Sequence, residues 1–236
     1  SSQVDKDKEL ERVNQLVNTG RISDAIQAST GLIARYPKDP RFYYIRGFGH
    51  LRQKSVSDAR ADFESCIRID PKYYGGYKGM ASVYSIKGMH EEAEKQYMRA
   101  YDLATKDEEK SVIMQNIAVM YSAEIKNQKK AIEFFNKSIR LNDLGDWYFG
   151  LALAYYRDGR KEEALDVWIK AVNEKKFKNV YFKHAAYYQI AEYWREKKNY
   201  VQAKVYIKTA LELDPDNALY MKTSNNINEH LKKYDK

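Results

Sequence analysis

Six alanines set the frame of this chain. Ala25, Ala59, Ala93, Ala131, Ala164 and Ala203 recur at gaps of 34, 34, 38, 33 and 39 residues, and a period of that length marks a tandem of short supersecondary units. The unit is plainest over residues 74–107. There Tyr77, Met80, Ala81 and Tyr84 fall on one stripe of a 3.6-residue helix, Lys87 and Gly88 interrupt it, and Ala93, Tyr97 and Ala100 form a second stripe. The pattern predicts two amphipathic helices joined by a turn. Small Ala81, Ala93 and Ala100 let the axes come close, and the tyrosines fill the ends of the contact. One such hairpin leaves a flank apolar and therefore needs a neighbour built the same way.

Composition agrees with a packed helical array. Of 236 residues 44% are apolar, enough for a substantial core, while only 11 are Gly and 4 are Pro, too few for a loop-rich chain. The net charge of +8 permits acidic proteins, nucleic acid or membrane surfaces as partners and selects none of them. Cys66 is the single cysteine, which excludes an intrachain disulfide and a multi-cysteine metal site, and its place in the repeat is that of a small core residue. No stretch approaches 18 consecutive apolar residues, so no membrane span is expected.

Read unit by unit, the repeats run over residues 6–39, 40–73, 74–107, 111–144, 145–178 and 184–216, with a capping helix over 217–234 that keeps Leu219, Tyr220, Ile227 and Leu231. Signature positions recur: Tyr84, Tyr121 and Tyr155 before the turn, the six alanines after it, Phe63, Tyr97, Phe135 and Trp168 four residues on, and Cys66, Ala100, Ser138, Ala171 and Ala210 three further. In this the chain resembles the tetratricopeptide repeat family over nearly its whole length. The resemblance implies an all-α fold, a right-handed solenoid of helix-turn-helix repeats forming one array over 1–236. Departures are Ser29 in place of an aromatic, Arg46 and His50 where Leu and Tyr are common, and Thr105 in place of Pro. Thr105 leads to the expectation that the second helix of the third unit runs on through Lys106 to Lys110. The extra residue in EIKNQKK is expected in the turn, because inside a helix it would rotate a stripe by about 100°.

Residues able to carry chemistry are scattered. His50, His90, His184 and His230 lie in different units, HEEAEK lacks the second histidine of a zinc-protease motif, and GGYKG at 75–79 lacks the strand and the GK[ST] of a phosphate loop. Asn136, Lys137 and Ser138 form a glycosylation triplet within a predicted helix, where it is discounted. Glu91, Glu92, Glu162 and Glu163 favour helix N-termini through the macrodipole. No enzyme activity, metal or cofactor is expected.

What the resemblance implies instead is a concave groove lined by first helices. Its places bring Arg41, Tyr44, Phe48 and Arg52 from the second unit, Lys78 from the third and Gln115 from the fourth, then Phe149, Tyr156 and Arg157 from the fifth and Tyr188, Glu192 and Arg195 from the sixth. Aromatic rings interleaved with Arg suit a peptide or helix of a partner protein with apolar and acidic side chains. This makes the chain an adaptor or scaffold for complex assembly. The lysine-asparagine clamp by which one subgroup grips chaperone tails is not expected, since its places hold Leu10, Asn14, Ile45, Gly75 and Gly79 and only Asn14 agrees. The alternative reading is a nucleic-acid binder using the basic surface, including Lys170, Lys175, Lys176, Lys178 and Lys183. Self-association stays open. The compartment stays open between the cytoplasm and a processed envelope lipoprotein, for which Ser1-Ser2-Gln3 is the one sign.

Overall fold

The computed structural model describes residues 3–234. Ser1 and Ser2, on which the reading of a processed start rests, lie outside the described residues. Among the described residues there are thirteen α-helices and no strand. In chain order they are α1 (Gln3–Asn18), α2 (Ile22–Arg35), α3 (Pro40–Arg52), α4 (Val56–Ile69), α5 (Tyr74–Ile86), α6 (His90–Leu103) and α7 (Asp107–Val119). After a π-helical turn at Met120–Ile125 follow α8 (Gln128–Leu141), α9 (Gly145–Arg157), α10 (Lys161–Glu174), α11 (Val180–Glu196), α12 (Tyr200–Leu213) and α13 (Ala218–Tyr234).

Every hairpin reverses through one residue in the left-handed conformation: Gly20, Lys54, Gly88, Lys126, Gly159 and Lys198, at φ between 59° and 82°. Each stands five residues before one of the six alanines. In five hairpins the amide after it donates back five residues to the preceding helix, as Ser55 N to His50 O (2.8 Å) and Met89 N to Tyr84 O (2.9 Å). This satisfies a carbonyl that the helix end leaves orphaned. The chain then re-enters a helix, and the alanine amide donates to the residue four before it. All six alanines are at most 1% exposed, so the partner helix lies against their methyl groups and a larger side chain would push the pair apart.

The fourth hairpin differs. Here Asn127 N donates to Tyr121 O at 2.8 Å, six residues back, because the first helix ends in the π turn. The extra residue expected in the turn is therefore taken up at the helix end. The i→i+5 bonding of a π turn accommodates one added residue locally, and Met120, Tyr121 and Ser122 stay buried.

The second helix of the third unit also ends sooner than expected. α6 stops at Leu103, Ala104 is extended (ψ 136°), and a new helix starts at Asp107. The Glu109 carboxylate accepts from Thr105 N and Lys106 N, both at 3.3 Å. Asp107, Glu108 and Glu109 crowd this first turn, so the charges after Thr105 begin a helix instead of prolonging one. α11 begins at Val180, before the expected start at His184, and its 17 residues exceed the 13 of α3, α5 and α9 by about one turn.

The chain forms two compact units, Ser1–Ile113 and Met114–Lys236. In the first, Val13, Ala25, Leu32, Tyr36, Phe42 and Ile45 make one core cluster and Ala59, Phe63, Met80 and Val83 another. Ser29, at a place where an aromatic is usual, is fully buried, and its hydroxyl donates to Ala25 O (2.7 Å). Cys66 is buried, its Sγ 3.2 Å from Pro40 O, and burial pushes its pKa up to about 12, as befits an inert core thiol. In the second unit Trp168 is the hub of a cluster with Phe149, Ala152, Leu165 and Ile190. α13 closes the last hairpin by burying Tyr220 and Ile227 against α12, whereas Leu219 points outward at 52% exposure.

The reversal geometry predicts opposite signs for two substitutions. Gly88 has free space where a Cβ would sit, so Gly88→Ala costs about 1 kcal/mol from the left-handed backbone alone. Lys54→Gly gains up to about 1 kcal/mol. Urea midpoints followed by helical circular dichroism decide this, and a shift of the same sign in both variants contradicts it. Deleting Ala123 from the π turn should restore an ordinary α-helical end at a cost of under about 1 kcal/mol. Deleting Leu153 from the middle of α9 should cost several times that, read from the same curves.

Candidate functional site

The stretch Tyr73-Tyr74-Gly75-Gly76-Tyr77-Lys78-Gly79 opens α5 and builds a pocket of rings in the first unit. A Cβ at Gly79 would lie 2.1 Å from the Phe63 ring, and one at Gly75 would lie 2.6 Å from Tyr73 and 2.8 Å from Tyr44. Rings from α3, α4 and the α5 cap thus lie on bare helix backbone, which only glycine permits. Around them Tyr44 meets Phe48 edge-on at 4.8 Å and Tyr73 at 5.8 Å, Phe48 meets Phe63 at 5.1 Å, and Tyr73 meets Tyr74 at 5.7 Å. Offset and edge-to-face pairs of this kind hold a rigid wall.

Lys78 projects from α5 into that wall. Its Nζ stands 5.5 Å from the centre of Tyr44 and 5.7 Å from that of Phe48, within range of a cation–π contact. No carboxylate lies within ion-pair distance of Lys78, and the hydroxyls of Tyr44, Tyr73 and Tyr74 have no hydrogen-bond partner among the described residues. Desolvation holds the Lys78 pKa below the usual lysine range, although Tyr74 and Glu109 oppose it. Burial pushes Tyr74 up to about 12 and raises Tyr44 and Tyr73 as well. All three phenols are protonated donors at neutral pH. The half-exposed face thus presents ring surface and phenol donors with one cation beside them.

The other residues read from the sequence are placed differently. Arg41 is bound to Asp39 (Nη2, 2.7 Å) and Asp7 (Nη1, 2.7 Å), so its charge is already answered. Arg52 is exposed near Val17 O (3.5 Å), and Gln115 is half-buried on α7. In the second unit Phe149 is 7% exposed and packs on Phe182, a core position. Tyr156 donates to Glu196 (2.9 Å), which also binds Lys161 (2.8 Å). Arg157 donates to Ser122 Oγ (2.9 Å), Arg195 forks onto Glu192 (2.9 and 2.6 Å), and Tyr188 stacks on Tyr220 at 4.9 Å. In that unit these particular side chains find partners inside the protein, while the indole N–H groups of Trp147, Trp168 and Trp194 are buried without one.

Sequence reasoning about the groove missed Tyr73 and Tyr74, though they directly precede the glycines that it placed both in a failed phosphate loop and at clamp positions. A second missed residue is Asp62, 4% exposed, which explains both departures in the second unit. Arg46 binds it through Nη2 (2.7 Å) and Nε (3.0 Å), and His50 Nε2 is 3.8 Å away. A buried carboxylate needs such partners. His184 is likewise structural, its Nδ1 2.8 Å from the Tyr220 hydroxyl. At three of the clamp places no donor projects, since Ile45 is buried and Gly75 and Gly79 are covered by rings. Among the described residues no group of His, Cys, Asp or Glu is placed to hold a metal ion, and no helix is long and apolar enough to cross a membrane.

Similarity to known proteins agrees with this architecture. The chain is 28% identical over 96 residues to Hsp70-Hsp90 organizing protein 2 of Arabidopsis thaliana, covering 41% of this chain and 17% of that protein. It is 25% identical over 108 residues to anaphase-promoting complex subunit 3 of Schizosaccharomyces pombe, covering 44% and 16%. The matched stretch thus spans about a sixth of either relative. Among solved structures, the APC/C hetero-tetramer Cut9-Hcn1 superposes with a TM-score of 0.68 at 18% identity over 93% of this chain and 42% of that one. YrrB, a tetratricopeptide repeat protein, superposes with a TM-score of 0.52 at 17% identity over 85% and 99%. At these identities the structural likeness is one of fold. Tetratricopeptide repeat models match residues 10–74, 76–143 and 184–217. With well over half of its residues inside those matches and six hairpins of that period in its structure, the chain belongs to the tetratricopeptide repeat family.

Proposed function

We propose that this chain is a non-enzymatic adaptor that holds a peptide or helix of a partner protein against the first helices of its repeats and so helps assemble a larger complex. The observation that carries this reading is the cluster of half-exposed rings on α3 and at the start of α5, with Lys78 beside it. Aromatic anchors of this kind supply most of the energy of protein recognition. Proteins of like fold support it: YrrB is described as having an unusual peptide-binding site, and Cut9 is part of a hetero-tetramer.

Protein is favoured over nucleic acid because several prominent cations are already committed to carboxylates. Arg41 with Asp39, Lys161 with Glu196, Lys175 with Asp143 and Arg195 with Glu192 are ion pairs at 2.6 to 2.8 Å. A phosphate backbone gains affinity by meeting several free cations at once.

Photo-crosslinking tests the assignment. Benzoylphenylalanine at Phe48 of the first unit or at Tyr188 of the second should each capture native partners, while the probe at exposed Lys95 of α6 or Lys204 of α12 should not. Isolated segments of those partners should bind with Kd on the order of micromolar. Equal capture from all four positions overturns the assignment of binding to first helices.

A further inference from the structure

The connector before α11 is where the chain departs furthest from its own period. Ala164 and Ala203 stand 39 residues apart, against 34 for the first two gaps. Lys198, the left-handed residue, keeps its five-residue distance from Ala203, so the added residues lie before α11 and in its extra first turn. They are pinned to the fold. The buried Asp146 carboxylate accepts from Lys178 N (2.9 Å) and Asn179 N (3.1 Å), Gly145 N donates to Lys176 O (2.9 Å), and Lys175 Nζ binds Asp143 (2.7 Å). Phe177 lies over Gly145, where a Cβ would meet its ring at 2.6 Å, and Phe182 packs on Phe149. Asn179 caps the new helix by accepting from Tyr181 N (2.9 Å).

What this pinned segment shows to solvent is apolar and basic. Val180 is 59% exposed, and Tyr181, although edge-on to His184 at 5.3 Å, is 55% exposed. Lys176 and Lys178 are exposed just before them, and residues 170–183 hold five lysines against one glutamate, with no arginine. We infer that this tip seats on the surface of an anionic lipid bilayer, Val180 and Tyr181 entering the headgroup layer while the lysines meet acidic headgroups. The surface is distinct from the ring cluster on α3 and α5, and the inference does not depend on the adaptor reading.

Three features favour this occupant. Two projecting side chains offer far less than the roughly 800 Å² a side that a stable protein interface buries. A bilayer needs no matching surface, because shallow apolar insertion and electrostatic attraction add to each other. The cations are all lysines, point charges on flexible apolar stems that suit a field of headgroups, whereas directed recognition of one carboxylate draws on the arginine fork. A second copy of this chain is disfavoured, since like tips would bring their lysines together. Tyrosine, with an apolar ring and a polar tip, suits the boundary between water and acyl chains.

The test is sedimentation of the full chain with vesicles of phosphatidylcholine, with or without about 30% phosphatidylserine. At low salt the anionic vesicles should bind at lipid concentrations on the order of millimolar, and the neutral ones about tenfold more weakly. Val180→Ser with Tyr181→Ser should weaken binding about tenfold, circular dichroism confirming the fold. Lys176→Gln with Lys178→Gln should lose about fivefold per charge. A nitrobenzoxadiazole dye on Tyr181→Cys should brighten and shift to the blue on anionic vesicles, and the same dye on Lys95→Cys should not. Buried Cys66 leaves that labelling selective. No sedimentation with anionic vesicles, equal sedimentation of the Val180→Ser, Tyr181→Ser variant, or a dye that stays aqueous at position 181 overturns the proposal. Binding to soluble polyglutamate without binding to vesicles also overturns it, in favour of an acidic protein. Each of these outcomes leaves the crosslinking test of the adaptor reading untouched.

Discussion

Close approach of two helices directly after a chain reversal is the constraint on which this structure depends. A left-handed residue turns the chain, a backbone bond reaching back to the preceding helix locks the reversal, and five residues later an alanine methyl meets the partner helix. Because neither helix can shift without opening a gap or a clash at that methyl, the rest of the unit falls into register. The aromatic four residues on and the small residue three beyond it then face the same neighbour, as Phe63 and Cys66, Tyr97 and Ala100, or Trp168 and Ala171 do. A hairpin so built still presents an apolar flank, and stacking covers it.

The same logic of bare backbone recurs along the first helices: Gly47 of α3 carries the Phe63 ring and Gly150 of α9 the Phe135 ring, and on α5 Gly75 and Gly79 carry rings contributed by Tyr73, Tyr44 and Phe63. The helix loses some intrinsic stability through its glycines and gains a wall of aromatic surface. Lys78 lies half-exposed beside these rings, its ammonium within cation–π range of Tyr44 and Phe48. In the second unit Tyr156, Glu196 and Lys161 satisfy one another, as do Arg195 and Glu192.

The architecture was legible because it is written as a period, and a period survives local exceptions. The exceptions themselves were less legible. Nothing in EIKNQKK says that an added residue joins the helix end, since turn and π turn differ only in which carbonyl the amide of Asn127 finds. Thr105 looked like a missing stop, yet Glu109 makes it the approach to a new helix. Arg46 and His50 looked like lapses from the pattern until Asp62 was seen 16 and 12 residues further along the chain, one helix away. Phe149 fitted the groove by its place in the unit and is instead covered by Phe182, because the first helix that follows is about one turn longer than usual.

The sequence alone determined the helical class, the unit and its repetition, and the buried row of alanines, because hydrophobic spacing and reversal residues are local properties of the chain. Only the tertiary structure decided which polar groups meet within the chain, since the carboxylate that pairs with Arg41 or accepts from the Tyr156 hydroxyl comes from another helix, 34 or 40 residues away. Pairing across that distance is a matter of packing, which no local pattern in the chain records.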